Sequence, residues 1–407
     1  MPTPSPLVVT ADTTPRVNLA HQQNHLPFFR RLEIRNPGDD AAVDVRVTST
    51  ATPPFFAPWE LRIATIPAGL THVVAPVPLV LAPDFLARQL EREVGFVEVG
   101  VSVAGAPPQL LRLPVEVLSP YEWAGVGVLP ELLAAFVRPN ARVLAPLLSE
   151  AAAWLGRATQ DPSLAGYQGK DPRRVQWLAE ALYAAVQSSG VTYISPPASF
   201  EESGQKVRTH EQVLEQGMGT CLDLTVLFAA LLEQVGLHPL VVIVQGHAFP
   251  GVWLTDFALQ EPTLDNPRPI RKRVELGEAL VFDSSAVAQG VPFDDARRKA
   301  EQGLAEEGKF VMAIDVHCAR TQHIRPLPFD ASAGARIPDA AGGEPQSNLP
   351  LPLRLRSVED LRFTQPPAHG QYRGTRRIDM TPGRFCPAAV FPQCAAPSAP
   401  PGVPAAP

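Results

Sequence analysis

From Leu222 to Val235 the chain is apolar on almost every face a helix would present, through Leu224, Val226, Leu227, Phe228, Leu231 and Leu232. A helix without a polar side has to be enclosed by the rest of a domain. The run is too short to cross a bilayer, which takes about 20 apolar residues. Its ends are marked. Thr220 and Asp223 stand in the spacing of a capping box, and Gly236 stops the run as a C-terminal cap does. This register puts Cys221 in the first turn, where free amides and the positive end of the helix dipole favour a thiolate, the reactive form of cysteine. Gly217 and Gly219 permit backbone angles that other residues avoid and are expected to leave room beside the sulfur for a substrate carbonyl.

The segment that follows supplies partners for that sulfur. Leu240–Val244 is a short β-branched run expected to form a central strand, broken by Gln245-Gly246 just before His247. Phe249 to Leu254 continues as a second strand, and Ala279 to Phe282 forms a third that ends at Asp283. His247 then faces the start of the Cys221 helix, and Asp283 reaches the far nitrogen of its ring, fixing the tautomer and stabilising the imidazolium. Each residue has a plainer reading. A cysteine on an apolar helix is ordinarily a small core residue, a histidine at a strand end is often structural, and Asp283 can cap a turn with Ser284 and Ser285. The ordered set of three points to a thiol nucleophile, with Asp223 reserved for capping.

These residues resemble the transglutaminase-like branch of the papain-type cysteine proteases. The resemblance is carried by Tyr193-Ile194-Ser195-Pro196-Pro197-Ala198-Ser199-Phe200, by Gly204-Gln205-Lys206-Val207-Arg208, by Gly219-Thr220-Cys221-Leu222-Asp223, and by Gly246-His247-Ala248-Phe249 with Gly251 and Trp253. It runs from about Tyr121 to Asp330. Within that branch it looks like a bacterial module found at the N-terminus of large helicase and nuclease proteins linked to defence against phage. It implies a Cys221, His247, Asp283 triad. Papain-type enzymes also place a glutamine upstream of the nucleophile, which makes Gln205, with the Cys221 backbone amide, the candidate oxyanion donor; transglutaminase-like relatives often use a different residue. The family more often carries Glu followed by Thr-Thr where this chain has Asp283, Ser284 and Ser285, and either carboxylate can orient a histidine.

Other chemistries find less support. His238, His317 and Cys318 lack the spacing of a zinc site, and Cys386 and Cys394 lack the paired arrangement of a zinc ribbon. No phosphate-binding glycine loop appears, so no metal or cofactor is expected. The basic cluster Arg268, Arg271, Lys272 and Arg273 is followed by Glu275 and Glu278, as on a solvated surface helix. The net charge of −6, from 35 basic and 41 acidic residues, gives no sign of nucleic acid or an anionic membrane as partner. Four cysteines without a disulfide framework, and an N-terminus unlike a signal peptide, lead to the expectation of a cytoplasmic protein.

Three regions are expected. Residues 1–119 alternate as β-strands do, at Leu32–Arg35, at Val43, Val45 and Val47, at Val97 to Val103 and at Leu111–Leu118, suggesting an all-β immunoglobulin-like sandwich. Residues 120–330 form the α+β transglutaminase-like (papain-type) domain, with helices at Leu129–Val137, Ala141–Leu155, Pro172–Val186 and Phe293–Glu307, and a last strand at Phe310–Val316. The long connection between Leu254 and Ala279 is a candidate substrate gate. Residues 331–407 are rich in Pro, Ala and Gly, and are expected to be a disordered tail. The expected activity is a cysteine protease acting on protein or peptide substrates, with partner proteins recruited by the sandwich and the tail and an effector encoded separately. A crosslinking acyltransferase and an inactive binding module are the alternatives.

Overall fold

A computed structural model of the chain describes residues 7–104 and 108–328. The expected tail, with Cys386 and Cys394, and the first six residues lie outside the described residues. The fold is mixed α and β with several sheets.

Every residue from Cys221 to Leu232 of the helix Cys221–Gln234 is buried, which answers the all-round apolar run. One side of the helix packs on a five-stranded antiparallel sheet. Its strands lie in the order Thr263–Leu264, Phe310–Asp315, Pro239–Val244, His247–Trp253, Ala279–Val281. Side chains alternate across a pleated strand, and here both faces are covered. Val241, Ile243, Ala248, Val252 and Leu280 share a core with the Cys221 helix. Leu240, Val242, Phe249, Trp253 and Val281 face a second core, with Ile270 of the helix Pro267–Glu275 and Ala300 and Leu304 of the helix Phe293–Ala305. The helices Ala145–Thr159 and Pro172–Ser188 add to the first core. There Phe228 stacks on Tyr183 and meets Phe282 edge-on at 5.1 Å.

Several expected elements differ in form. The helix expected at Leu129–Val137 is a tight 3-10 segment, Pro130–Phe136; prolines at 130 and 139 leave too little chain between them for an α ladder. The next helix starts at Ala145 rather than Ala141, after a 3-10 turn at Arg142–Leu144, because Pro146 lacks the amide that would extend the ladder backwards. The last strand stops at Asp315, whose carboxylate accepts the Cys318 amide at 2.9 Å and so opens the helix Val316–Thr321. The loop after Leu254 is not beside His247. His247 pairs with Val244 at one end of its strand and Trp253 pairs with Ala279 at the other. Six residues of strand separate the two ends by roughly 20 Å, so the gate reading of that loop is withdrawn.

The N-terminal part is β-rich. A three-stranded antiparallel sheet orders Val8–Thr13, Phe29–Arg35, Thr71–Val74, and a five-stranded sheet orders Arg16–Val17, Gln109–Val117, Glu93–Ser102, Ala42–Thr52, Trp59–Ile66. Leu32 and Ile34 from the first sheet, and Val45, Val47, Val97, Val99, Val115 and Val117 from the second, lie in one apolar core. Val43, counted with the alternating valines, is instead 57% exposed. Arginines tie this part to the remainder: Arg16 donates to the Ala124 and Glu202 carbonyls, and Arg92 pairs with Glu122 and donates to the Ser203 carbonyl.

Among the described residues, no helix is long and apolar enough to cross a membrane. Phe228→Ala removes a fully buried ring from the centre of the first core. Urea denaturation should show a loss of about 3–5 kcal/mol, against less than about 0.5 kcal/mol for a surface change such as Glu307→Ala.

Candidate active site

The start of the Cys221 helix is fixed by two reciprocal bonds. Thr220 Oγ1 accepts the Asp223 amide at 3.2 Å and Asp223 Oδ2 accepts the Thr220 amide at 2.9 Å, the capping box expected from sequence. Asp223 also accepts from the Arg208 amide and guanidinium, at 2.8 and 3.0 Å. Gly217, with φ of 64°, caps the preceding helix His210–Gln216 and so uses the backbone freedom expected of it. At Gly219 a side chain would press on Asp223 and Leu224, so close packing there calls for glycine.

Cys221, the first residue of this helix, is fully buried. His247 opens its strand directly after a two-residue turn in which Gly246 takes φ of 70°. Its ring is close enough to the Cys221 thiol for the sulfur to help raise the ring's pKa, and its Nε2 is 3.2 Å from Asp283 Oδ1. The Nε2 contact is close in distance but off-line in angle; charge attraction depends on the distance, and such bonds commonly straighten when substrate binds. Asp283 is buried, and it also fills the plainer role weighed for it: its Oδ1 accepts from the Ser285 amide at 2.9 Å and hydroxyl at 2.6 Å, capping the turn Ser284–Gln289. One carboxylate thus serves the turn and the imidazole together.

The electrostatics favour an imidazolium. Burial alone would lower the pKa of His247, but the hydrogen bonds and charges of Asp283 and Cys221 outweigh it and raise the value to about 9. Burial likewise opposes ionisation of Asp283, yet His247, Lys299 and Ser285 hold its carboxyl far below the usual carboxylate range. An imidazolium flanked by a carboxylate and a thiol is an arrangement through which a proton can pass to and from sulfur.

Gln205 is brought to the same place. It lies on a two-residue strand, Gln205–Lys206, paired with Glu122–Trp123, and its Nε2 donates to Thr220 Oγ1 at 3.1 Å, one residue before the sulfur. Its Oε1 is buried without a partner among the described residues, as are Trp123 Nε1 on the paired strand and Glu201 Oε2. Folded interiors leave few buried polar atoms unpaired. Of the three, Gln205 is the one tied to the helix start, through Thr220.

Three neighbours were given no role by the sequence, although Tyr193 opens the first motif of the resemblance. Tyr193 is placed by a short parallel bridge, Thr192–Tyr193 against Met218–Gly219, where Cys221 and Asp283 act on it electrostatically. Burial and the charges of Cys221 and Asp283 push its pKa up to about 12, so it keeps its proton and remains a donor. Lys299 projects from the helix Phe293–Ala305 to within 2.6 Å of Asp283 Oδ2. Glu201 accepts the Gly246 amide at 3.2 Å, immediately before His247. The two-residue bridge is too short to be read from a pattern, and Lys299 is one of several charged residues on an amphipathic helix. By contrast, His238 stacks on His317 with ring centroids 3.6 Å apart; its Nδ1 is 2.8 Å from the Phe257 carbonyl oxygen, and it takes no part here. Among the described residues no group of His, Cys, Asp and Glu is placed to hold a metal ion.

No family model matches the chain, and no curated protein matches it. Among solved structures it is similar to a protein of Parabacteroides distasonis described provisionally as a protease, at 13% identity and a TM-score of 0.21, over 62% of this chain and 48% of that one. This chain therefore spans about half the length of that structure.

An NMR titration of His247 in Asp283→Asn should give a pKa lower by about 1–3 units, because an amide does not favour the imidazolium. Lys299→Met should move it the other way and by less, since the ammonium is half exposed and screened.

Proposed function

We propose that this chain is a cysteine hydrolase, a protease that cleaves amide bonds of protein or peptide substrates. In this reading, residues 120–330 form a transglutaminase-like, papain-type domain and residues 1–119 an immunoglobulin-like sandwich. The observation that supports it most is the meeting of Cys221, His247 and Asp283, delivered by a buried helix, a strand edge and the end of a neighbouring strand.

His247 takes the proton of the Cys221 thiol, and the thiolate attacks the carbonyl carbon of the substrate amide. The developing oxyanion is held by the Cys221 backbone amide, which has no intrahelical partner at the helix start, together with the Gln205 amide and the Tyr193 hydroxyl. Collapse of this intermediate breaks the C–N bond, and the imidazolium gives its proton to the leaving nitrogen. Water, deprotonated by His247, then attacks the thioester; the C–S bond breaks and the sulfur recovers its proton. Asp283 stabilises the imidazolium each time it forms. No cofactor enters these steps. Partner recruitment through the sandwich and the Pro-rich tail and a cytoplasmic site of action are part of the same proposal and rest on composition, and a role in defence against phage rests on the family resemblance.

The test is to expose the protein to peptide pools, quench with acid and map adducts by mass spectrometry, so that Cys221 is distinguished from Cys318. An acyl adduct should appear on Cys221, vanish in Cys221→Ala and form about 10²–10⁴-fold more slowly in His247→Ala. A folded protein in which Cys221 never carries an acyl group and peptides are never cut would refute the enzyme and favour the binding module.

A further inference from the structure

The β-rich N-terminal part has one long strand with an open side. In its five-stranded sheet, Arg16–Val17 lies at one edge, where Arg16 donates to the Ala124 and Glu202 carbonyls. Trp59–Ile66 lies at the opposite edge and pairs with Ala42–Thr52 alone. Asn36 donates to the Ile66 carbonyl at 3.0 Å, and among the described residues no other hydrogen bond reaches this strand's backbone from its outer side. An open edge of that length is a template for another strand, and proteins commonly blunt it with charges that repel. Here the charges have both signs. Glu60 and Arg62 are exposed on the outer face, while Trp59, Leu61 and Ile63 turn to the core that holds Val45 and Val47. Arg46 takes the Glu60 carboxylate at 2.6 Å, and Arg62 reaches it at 3.2 Å but faces Arg46 across the ladder. The guanidinium of Arg62 therefore meets a like charge on its own sheet and looks outward for an opposite one.

The sequence of this strand complements itself in one register. Directly opposed residues of an antiparallel pair share a face, so a two-fold pairing of identical strands has to be centred on a residue. Centring on Glu60 opposes two carboxylates, and centring on Arg62 opposes two guanidiniums. Centring on Leu61 sets Glu60 of each copy against Arg62 of the other, Trp59 against Ile63, and Leu61 against itself. Other centres leave Glu60 and Arg62 facing no opposite charge. In the Leu61 register two ion pairs form on the outer face, and the half-buried side chains of Trp59 and Leu61 gain cover on the inner one. We infer that two copies of this chain join edge to edge through Trp59–Ile66 in that register, so that the sheet runs on from one copy into the other. The inference goes beyond the chemistry at Cys221 and does not depend on it.

Sedimentation of the full chain tests this. A contact limited to one strand per copy is small, so the dimer is weak and the measurement runs from about 1 to 300 μM. The wild type should pass from monomer to dimer within that range. Arg62→Glu opposes carboxylates at both ends of the pairing, and Glu60→Lys opposes cations; each should raise the dissociation constant about ten-fold or more. The two variants mixed in equal amounts should dimerise as the wild type does, because each then faces the opposite charge. That recovery also shows that both variants are folded. A wild type that stays monomeric throughout overturns the inference. So does a dimer that Arg62→Glu leaves as strong, or a mixture that associates no better than either variant alone.

Discussion

The structure of the site depends on the buried carboxylate of Asp223. It is fully enclosed, yet it takes the Thr220 amide, the Arg208 amide and the Arg208 guanidinium. Each of those bonds replaces water that the group lost on burial, and an enclosed carboxylate lacking them would be strongly destabilising. The consequence is geometric. The first turn of the helix cannot shift along its axis without unpairing a buried charge, so the sulfur one residue past Thr220 is held in place by an interaction it does not itself make. The same bonds draw the segment Gln205–Arg208 against the helix start, and with it the Gln205 amide.

Electrostatics complete what the cap begins. His247 sits between the Asp283 carboxylate and the Cys221 sulfur, and its raised pKa expresses both. Asp283 divides its oxygens: Oδ1 faces the imidazole and Ser285, and Oδ2 faces Lys299. The lysine limits how much negative potential reaches the ring.

Much of this arrangement was legible because it follows periodicity and local caps. The all-round apolar run required a buried helix, the Thr220–Asp223 spacing fixed its first residue, and the fully apolar Leu240–Val244 run belonged in a sheet covered on both faces. What could not be read depends on pairings between distant segments. Tyr193 is placed by a bridge of two residues, Glu201 meets the turn before His247 through one backbone amide, and Lys299 meets Asp283 from a separate helix. The misplaced gate had a simpler origin: the loop follows the His247 strand in sequence, but a strand of seven residues carries the chain away from the histidine. Of the glycines before Cys221, Gly217 takes the positive φ expected of it, while Gly219 is explained by close packing against Asp223 and Leu224.

The wall that carries Glu201 and Gln205 is fastened from outside the helical part of the molecule. Arg16 holds the carbonyls of Ala124 and Glu202, and Arg92 holds Glu122 and the carbonyl of Ser203. Both arginines belong to the β-rich N-terminal portion, more than a hundred residues before the sulfur. A fragment beginning near residue 120 would keep Cys221, His247 and Asp283 but would lose the arginine bonds that hold the segments around Glu122 and Ser203, so the β-rich portion contributes to the rigidity of a region it does not itself form.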